Sequence, residues 1–132
     1  GVHDGARPLV TCEEVRRAVD ALAAYPTLDG AVPAIPSVDT IKIVDADGLI
    51  VETPHRARLF RAQTPQIFRW QALLDAYEQT DDIIAAATDD ASLVEERGGR
   101  VLVVEGSPEN FKITDRLDLG HAEDILAGRR RG

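Results

Sequence analysis

At 132 residues, with 44% hydrophobic and 29% charged side chains, the chain has the size and composition of one soluble globular domain with a single core. Fifteen Lys and Arg against 23 Asp and Glu leave a net charge of −8, which excludes an extended nucleic-acid surface or an anionic-membrane surface. No apolar run approaches the roughly 18 residues of a membrane span.

An anionic ligand must therefore be held by a local cluster of cations, and the chain has only two lysines, Lys42 and Lys112. The single Cys12 excludes an intrachain disulfide and points to a reducing compartment. There is no methionine, so the natural start is expected upstream of Gly1.

Val2-His3-Asp4-Gly5-Ala6-Arg7-Pro8 reads as a buried strand ending at a turn, where a carboxylate and a guanidinium emerge side by side. Ligands of α/β proteins bind at such strand ends. Asp4 there can hold a metal or orient a polar ligand, and Arg7 can grip phosphate through its planar fork. A plain strand-end ion pair explains the same residues.

Thr11-Cys12-Glu13-Glu14 is a capping box, and Val15, Ala18, Val19 and Leu22 continue it into a helix to about Ala24. Ala31 to Ile35 has strand character, with Pro33 and Pro36 expected to keep it off a regular central ladder. Thr40 to Val44 and Leu49 to Thr53, joined by Asp45-Ala46-Asp47-Gly48, predict a hairpin. A hairpin with so little apolar surface on one strand does not stand alone. Residues 38–56 are expected to project as an arm that embraces a second subunit.

Arg56, Arg58 and Arg61 make the next segment basic. Thr64-Pro65-Gln66 looks like a turn between a strand and a helix, and Trp70, Leu73, Leu74 and Tyr77 mark the core-facing side of that helix. Ile83 to Ala87 is small and apolar. Thr88 is placed as the N-cap of a helix through Glu96, with Asp89 and Asp90 as first-turn acids and Gly98-Gly99 as its stop. Val101 to Val104 predicts a buried strand. After the loop Glu105-Gly106-Ser107-Pro108 and the extended Asn110 to Ile113, Thr114 and Asp115 open a last helix carrying Leu119, Ala122, Ile125 and Leu126. Arg129 to Arg131 close that helix or begin a tail or linker.

Alternating helices and strands imply an α/β layered fold. There is no glycine-rich phosphate loop and no zinc-ligand spacing. From the residues alone, a phosphate-bearing ligand fits and no reaction can be named.

Five stretches in order resemble one family. His3 to Pro8 resembles its H-D-A/G-A-R-P segment, and Asp39-Thr40-Ile41-Lys42 its D-T-I/M-K run. Ala62 to Phe68 is similar to its A-Q/L-T-P-Q-x-F stretch, and Thr88 to Ala91 with Glu95 to its T-D-D/E-A-x-x-x-E. Gly106 to Thr114 matches its G-x-x-x-N-x-K-I/V-T. The family is 2-C-methyl-D-erythritol 4-phosphate cytidylyltransferase, of the non-mevalonate isoprenoid pathway.

The resemblance implies a three-layer, Rossmann-like nucleotidyltransferase fold and a homodimer in the bacterial cytoplasm or in plastids. It implies attack of a sugar-alcohol phosphate on the α-phosphorus of CTP, with Mg²⁺ bridging the phosphates. By match, Asp4 would lie near ribose, metal or substrate. Arg7, Thr40, Arg56 and Lys112 would bind substrate, Thr40 and Arg56 reaching into the partner's site, and Arg56 and Lys112 would orient the nucleophile. The family's opening A-A-G-x-G-x-R-x-G segment and its lysine have no counterpart here. The chain is therefore expected to be the C-terminal part of one cytidylyltransferase domain and inactive alone. A ribitol 5-phosphate cytidylyltransferase, a part of a chain fused to a downstream cyclase, and a non-catalytic dimerisation or substrate-binding fragment remain as alternatives.

Overall fold

The computed structural model describes residues 1–132. Its elements are α1 (Cys12–Ala24), β1 (Gly30–Pro36), β2 (Ile43–Val44), β3 (Ile50–Glu52), β4 (Phe60–Ala62), β5 (Ile67–Phe68), α2 (Trp70–Tyr77), α3 (Asp81–Ala86), α4 (Asp90–Glu96), β6 (Val101–Glu105) and α5 (Arg116–Arg131). Strand β1 is the axis of the main sheet. It pairs antiparallel with β4 and β5 on one side and parallel with β6 on the other.

Pleat alternation sorts the side chains into layers. Ile67 and Val104 pack with Ala18, Leu22, Leu28 and Ala31 under α1. Their strand neighbours Phe68 and Val101 pack with Ala76, Leu93 and Val94 of α2 and α4. Phe68 differs from Ile67 by one position and Val101 from Val104 by three, so the two helical groups lie on opposite faces. The result is a three-layer α/β/α arrangement. The capping box of α1 forms as the sequence predicts: Glu14 N–H donates to Thr11 Oγ1, and Thr11 N–H donates to Glu14 Oε2.

Several expectations are corrected. Pro33 sits in the central strand, not off it. Its carbonyl accepts from Gln63 N–H at 2.8 Å. The N–H that proline lacks falls on the same side, so the Pro33–Gln63 pair just past β4 keeps one of its two reciprocal bonds, and the side of the strand facing β6 is untouched. Thr64-Pro65-Gln66 therefore joins two strands and not a strand to a helix, and the Thr64–Pro65 peptide is cis. Strand β6 forms but is not buried: Leu102 and Val103 are exposed, because β6 pairs with β1 alone. The predicted core face of α2 is also open, with Trp70 72% exposed and Leu74 and Tyr77 exposed beside it; Ala76 is the residue that α2 buries. On α5, Ala122 alone of the predicted stripe is buried.

The N-cap of α4 is Asp89, one residue beyond Thr88. Its carboxylate accepts from Ser92 N–H at 2.9 Å. The six-residue α3 was not legible as a helix in its small apolar run. Arg129 to Arg131 are helical, and Arg129 is anchored to the Leu9 carbonyl and to Glu109 at 3.0 and 2.7 Å. Val2 forms a single antiparallel bridge to Gln66 and not a full strand. The β2–β3 hairpin is a separate two-stranded ribbon, exposed along residues 41–53, with Gly48 at φ +83° in its turn. Asp45 Oδ1 fixes that turn by accepting from the N–H groups of Asp47 and Leu49, both at 2.9 Å.

Candidate functional site

Three segments far apart in sequence are laced together where β1 and β6 both end. The first is the turn at Asp4 to Arg7. Asp4 Oδ1 accepts from Ala6 N–H at 2.9 Å and its carbonyl from Arg7 N–H at 3.0 Å, so the aspartate closes its own turn. Asp4 N–H donates to Thr64 Oγ1 at 2.9 Å, which ties the turn to the second segment. His3 completes the link. Its Nε2 lies 3.0 Å from the Arg7 carbonyl, which can only accept. Nε2 therefore carries a proton, and Nδ1 lies 2.9 Å from the Thr64 hydroxyl.

The third segment is the loop after β6. Gln63 holds its start through two amide bonds to Ser107, Nε2 to the carbonyl at 2.7 Å and Oε1 from the N–H at 3.1 Å. Asn110, fully buried, holds its middle. Its Nδ2 donates to the Thr64 carbonyl at 2.8 Å, and its own carbonyl accepts from Arg7 Nη1 at 2.7 Å. Ile113 N–H donates to the Ala6 carbonyl at 2.9 Å. Gly106 is needed because its backbone lies against β1: a Cβ there would meet Ala34 N and O at 3.1 Å and collide with Gln63 Oε1.

This lacing puts Lys112 Nζ 3.2 Å from Asp4 Oδ2. The two side chains are 54% and 32% exposed, so the pair is open to a ligand and contributes little to stability. The Ala6 N–H and then the Lys112 ammonium hold the Asp4 carboxyl below the ordinary aspartate range. Burial pushes the Arg7 guanidinium down from its ordinary value while the Asp4 charge opposes the shift. Arg7, Arg61, Gln63, Phe111 and Lys112 line a cavity of about 310 Å³. A pocket of that size edged with guanidinium and ammonium groups can take a small phosphate ester.

The structure thus brings together Asp4, Arg7 and Lys112 of the predicted site residues. It does not bring Thr40 or Arg56 to them. Thr40 stands exposed at the base of the hairpin, Arg56 Nη1 donates to the Val38 carbonyl at 3.1 Å, and neither lines the cavity. Asp89 and Asp90 are absorbed by helix starting, with Asp89 also accepting from Gln66 Nε2 at 2.8 Å. No group of three or more His, Cys, Asp or Glu side chains that could hold a metal ion is present. A magnesium ion carried largely by water and substrate phosphates needs only one or two carboxylates, and Asp4 fits that part. His3 reads from the sequence as a hydrogen-bonded structural group and is one. Residue reading missed Gln63, Asn110 and Arg61; the two amides act through neutral hydrogen bonds, and the sequence signal for Asn110 was its place two residues before the lysine.

The model of the family described as 2-C-methyl-D-erythritol 4-phosphate cytidylyltransferase matches residues 1–128. A curated protein of that description from Rubrobacter xylanophilus is 45% identical over 130 residues, covering 98% of this chain and 55% of the relative. One from Microcystis aeruginosa is 48% identical over 128 residues, covering 97% and 55%. A crystal structure of 4-diphosphocytidyl-2C-methyl-D-erythritol synthase from Anaerococcus prevotii superposes with a TM-score of 0.81 at 33% identity, over 95% of this chain and 57% of that one. The chain spans about half the length of the curated relatives it matches.

Proposed function

Because the chain belongs to the 2-C-methyl-D-erythritol 4-phosphate cytidylyltransferase family, we propose that it supplies the substrate-binding half of an enzyme transferring a cytidylyl group from CTP to 2-C-methyl-D-erythritol 4-phosphate. The observation that carries this reading is the Asp4–Lys112 pair at the mouth of a cation-lined cavity, built by two of the family's motifs. An oxygen of the substrate phosphate forms the new bond to the α-phosphorus of CTP. The bond from that phosphorus to the β-phosphate oxygen breaks, and pyrophosphate leaves with the electron pair. The attacking phosphate is already ionised at neutral pH, so no general base is required.

The work of the chain is placement and charge compensation. Lys112 holds the substrate phosphate, Arg7 supplies a second cation, and Asp4 keeps Lys112 aimed into the cavity until the phosphate competes for it. Thr40 and Arg56 act in the site of a second copy, and Arg56 with Lys112 orients the nucleophile. The exposed apolar residues Ile43, Val44, Ile50 and Val51 of a ribbon outside the main sheet support an arm that packs on another subunit. Mg²⁺, held by Asp4 and the phosphates of CTP, would neutralise charge on the leaving pyrophosphate. The triphosphate-binding glycine-rich segment belongs to the part of the family's length that this chain does not span. A bacterial cytoplasm or a plastid is the setting that this reading proposes.

The test is cytidylyl transfer by the 132-residue chain alone and joined behind the glycine-rich segment of a family member, with methylerythritol phosphate and ribitol 5-phosphate offered separately. The expected result is no turnover by the chain alone and turnover of methylerythritol phosphate by the joined protein. Turnover by the chain alone would overturn the division of roles, and preference for ribitol 5-phosphate would replace the substrate.

A further inference from the structure

We propose that Arg61 is a further substrate-binding residue, gripping the substrate phosphate across the cavity from Lys112 within the same chain. The proposal rests on the reading of this cavity as the seat of that phosphate. Arg61 is on β4, opposite Ile35 of β1, and both line the cavity with Arg7 and Lys112. The other two cations are already engaged: Arg7 by the Asn110 carbonyl at 2.7 Å and Lys112 by Asp4 at 3.2 Å. Arg61 has no partner among the ion pairs, which are Arg17–Glu13, Lys112–Asp4 and Arg129–Glu109. Its exposed guanidinium is therefore the uncommitted fork at the cavity wall.

The charge count agrees. Arg7, Arg61 and Lys112 bring three cations to the cavity of a chain of net −8, against Asp4 at Lys112 and Glu105, which lines the adjoining cavity with Arg61. The surplus is positive and suits a phosphate monoester near −2 at neutral pH. Without Arg61 that surplus is lost, and with it the chain's own free planar fork, Arg56 of a second copy being the other that reaches the phosphate. Lys112 is a point charge that the phosphate must share with Asp4, so the fork supplies direction as well as charge.

The test is titration of the 15N-labelled 132-residue chain with methylerythritol phosphate and, separately, inorganic phosphate, followed in amide spectra at residues 61–63 and 107–112. The parent should show saturable shifts with both. Arg61→Gln should raise the apparent Kd about tenfold for both ligands, and Arg61→Lys by about threefold, because charge is kept and the fork is lost. Arg58→Gln serves as the control for lost charge alone, since Arg58 lines a separate cavity with Glu52 and His55. Equal weakening by Arg58→Gln and Arg61→Gln, no weakening by Arg61→Gln, or no phosphate binding by the parent would each overturn the proposal. Parent binding of inorganic phosphate but not of methylerythritol phosphate, with the Arg61→Gln effect intact, would leave Arg61 in its role and remove the substrate reading.

Discussion

Replacing Asn110 by aspartate tests whether one buried amide fastens the cationic loop to the rest of the site. Asn110 is fully buried, and its Nδ2 is the donor to the Thr64 carbonyl at 2.8 Å. In Asn110→Asp an ionised carboxylate would face that carbonyl, acceptor against acceptor, in a place that water does not reach. The lost bond and the orphaned acceptor together cost roughly 2–4 kcal/mol. The variant escapes part of this by protonating, because a neutral carboxylic acid donates where the amide did. Its native-state pKa is therefore raised above the unfolded value of about 3.9. The sign follows: the restored bond is fully present below about pH 3.9 and is lost as pH rises through the raised native value. A rise of two units would withdraw about 2.7 kcal/mol by pH 7. Urea unfolding of parent and variant at pH 4 and pH 7, read by circular dichroism, should give a deficit of about 3 kcal/mol at pH 7 that shrinks to about 1 kcal/mol at pH 4. Asn110→Ala should be destabilised similarly at both pH values. A deficit for Asn110→Asp below 0.5 kcal/mol at pH 7, or one that grows on acidification, would refute the reasoning.

Gly106→Ala drives a methyl group into Ala34 backbone atoms at 3.1 Å and into the Gln63 amide that holds Ser107. It should cost about 2–3 kcal/mol in urea unfolding and shift the amide signals of residues 107–112; an unchanged unfolding midpoint would show that the loop has slack. The Asp4 carboxyl, held low first by Ala6 N–H and then by Lys112, should titrate below the ordinary aspartate value of 3.8 in a carbon-detected titration. Its contribution to folding is present above that value and is lost as pH falls through the lower native one. Lys112→Gln should move the midpoint upward, though not fully to the ordinary value, because the Ala6 bond, the larger cause, remains.

The capped helix α1, the hairpin and the strand–helix alternation were legible because each is set locally. Thr11 and Glu14 cap within one turn, and Asp45 bonds the N–H groups of its own turn. Misreadings arose where a partner elsewhere decides. Pro33 is accommodated in a central strand because its missing N–H faces Gln63, just past the end of β4, and not β6, a fact of register that its own neighbours do not contain. The face of α2 has the right period for burial but meets no layer, and the hydrophobic pattern does not reveal which faces find one. At the site, charged residues stood out against an acidic chain. Gln63 and Asn110 did not, because a buried amide is identified by its partners.

The parallel pairing of β1 with β6 explains why these partners meet at one place. Parallel strands end at the same edge, so Ile35 of β1 and Glu105 of β6 deliver their following segments side by side. Antiparallel β4 begins at that edge, which brings Arg61 opposite Ile35 without any further connection. The loop from Gly106 then crosses the strand ends toward Arg7, and the Asn110 carbonyl meets the arginine there. A cation placed on β4, on this loop or on the Asp4–Arg7 turn is thus directed to one cavity by topology alone. Local positive charge can form in a chain of net −8 because three separate segments each bring a cation there, more than Asp4 and Glu105 offset.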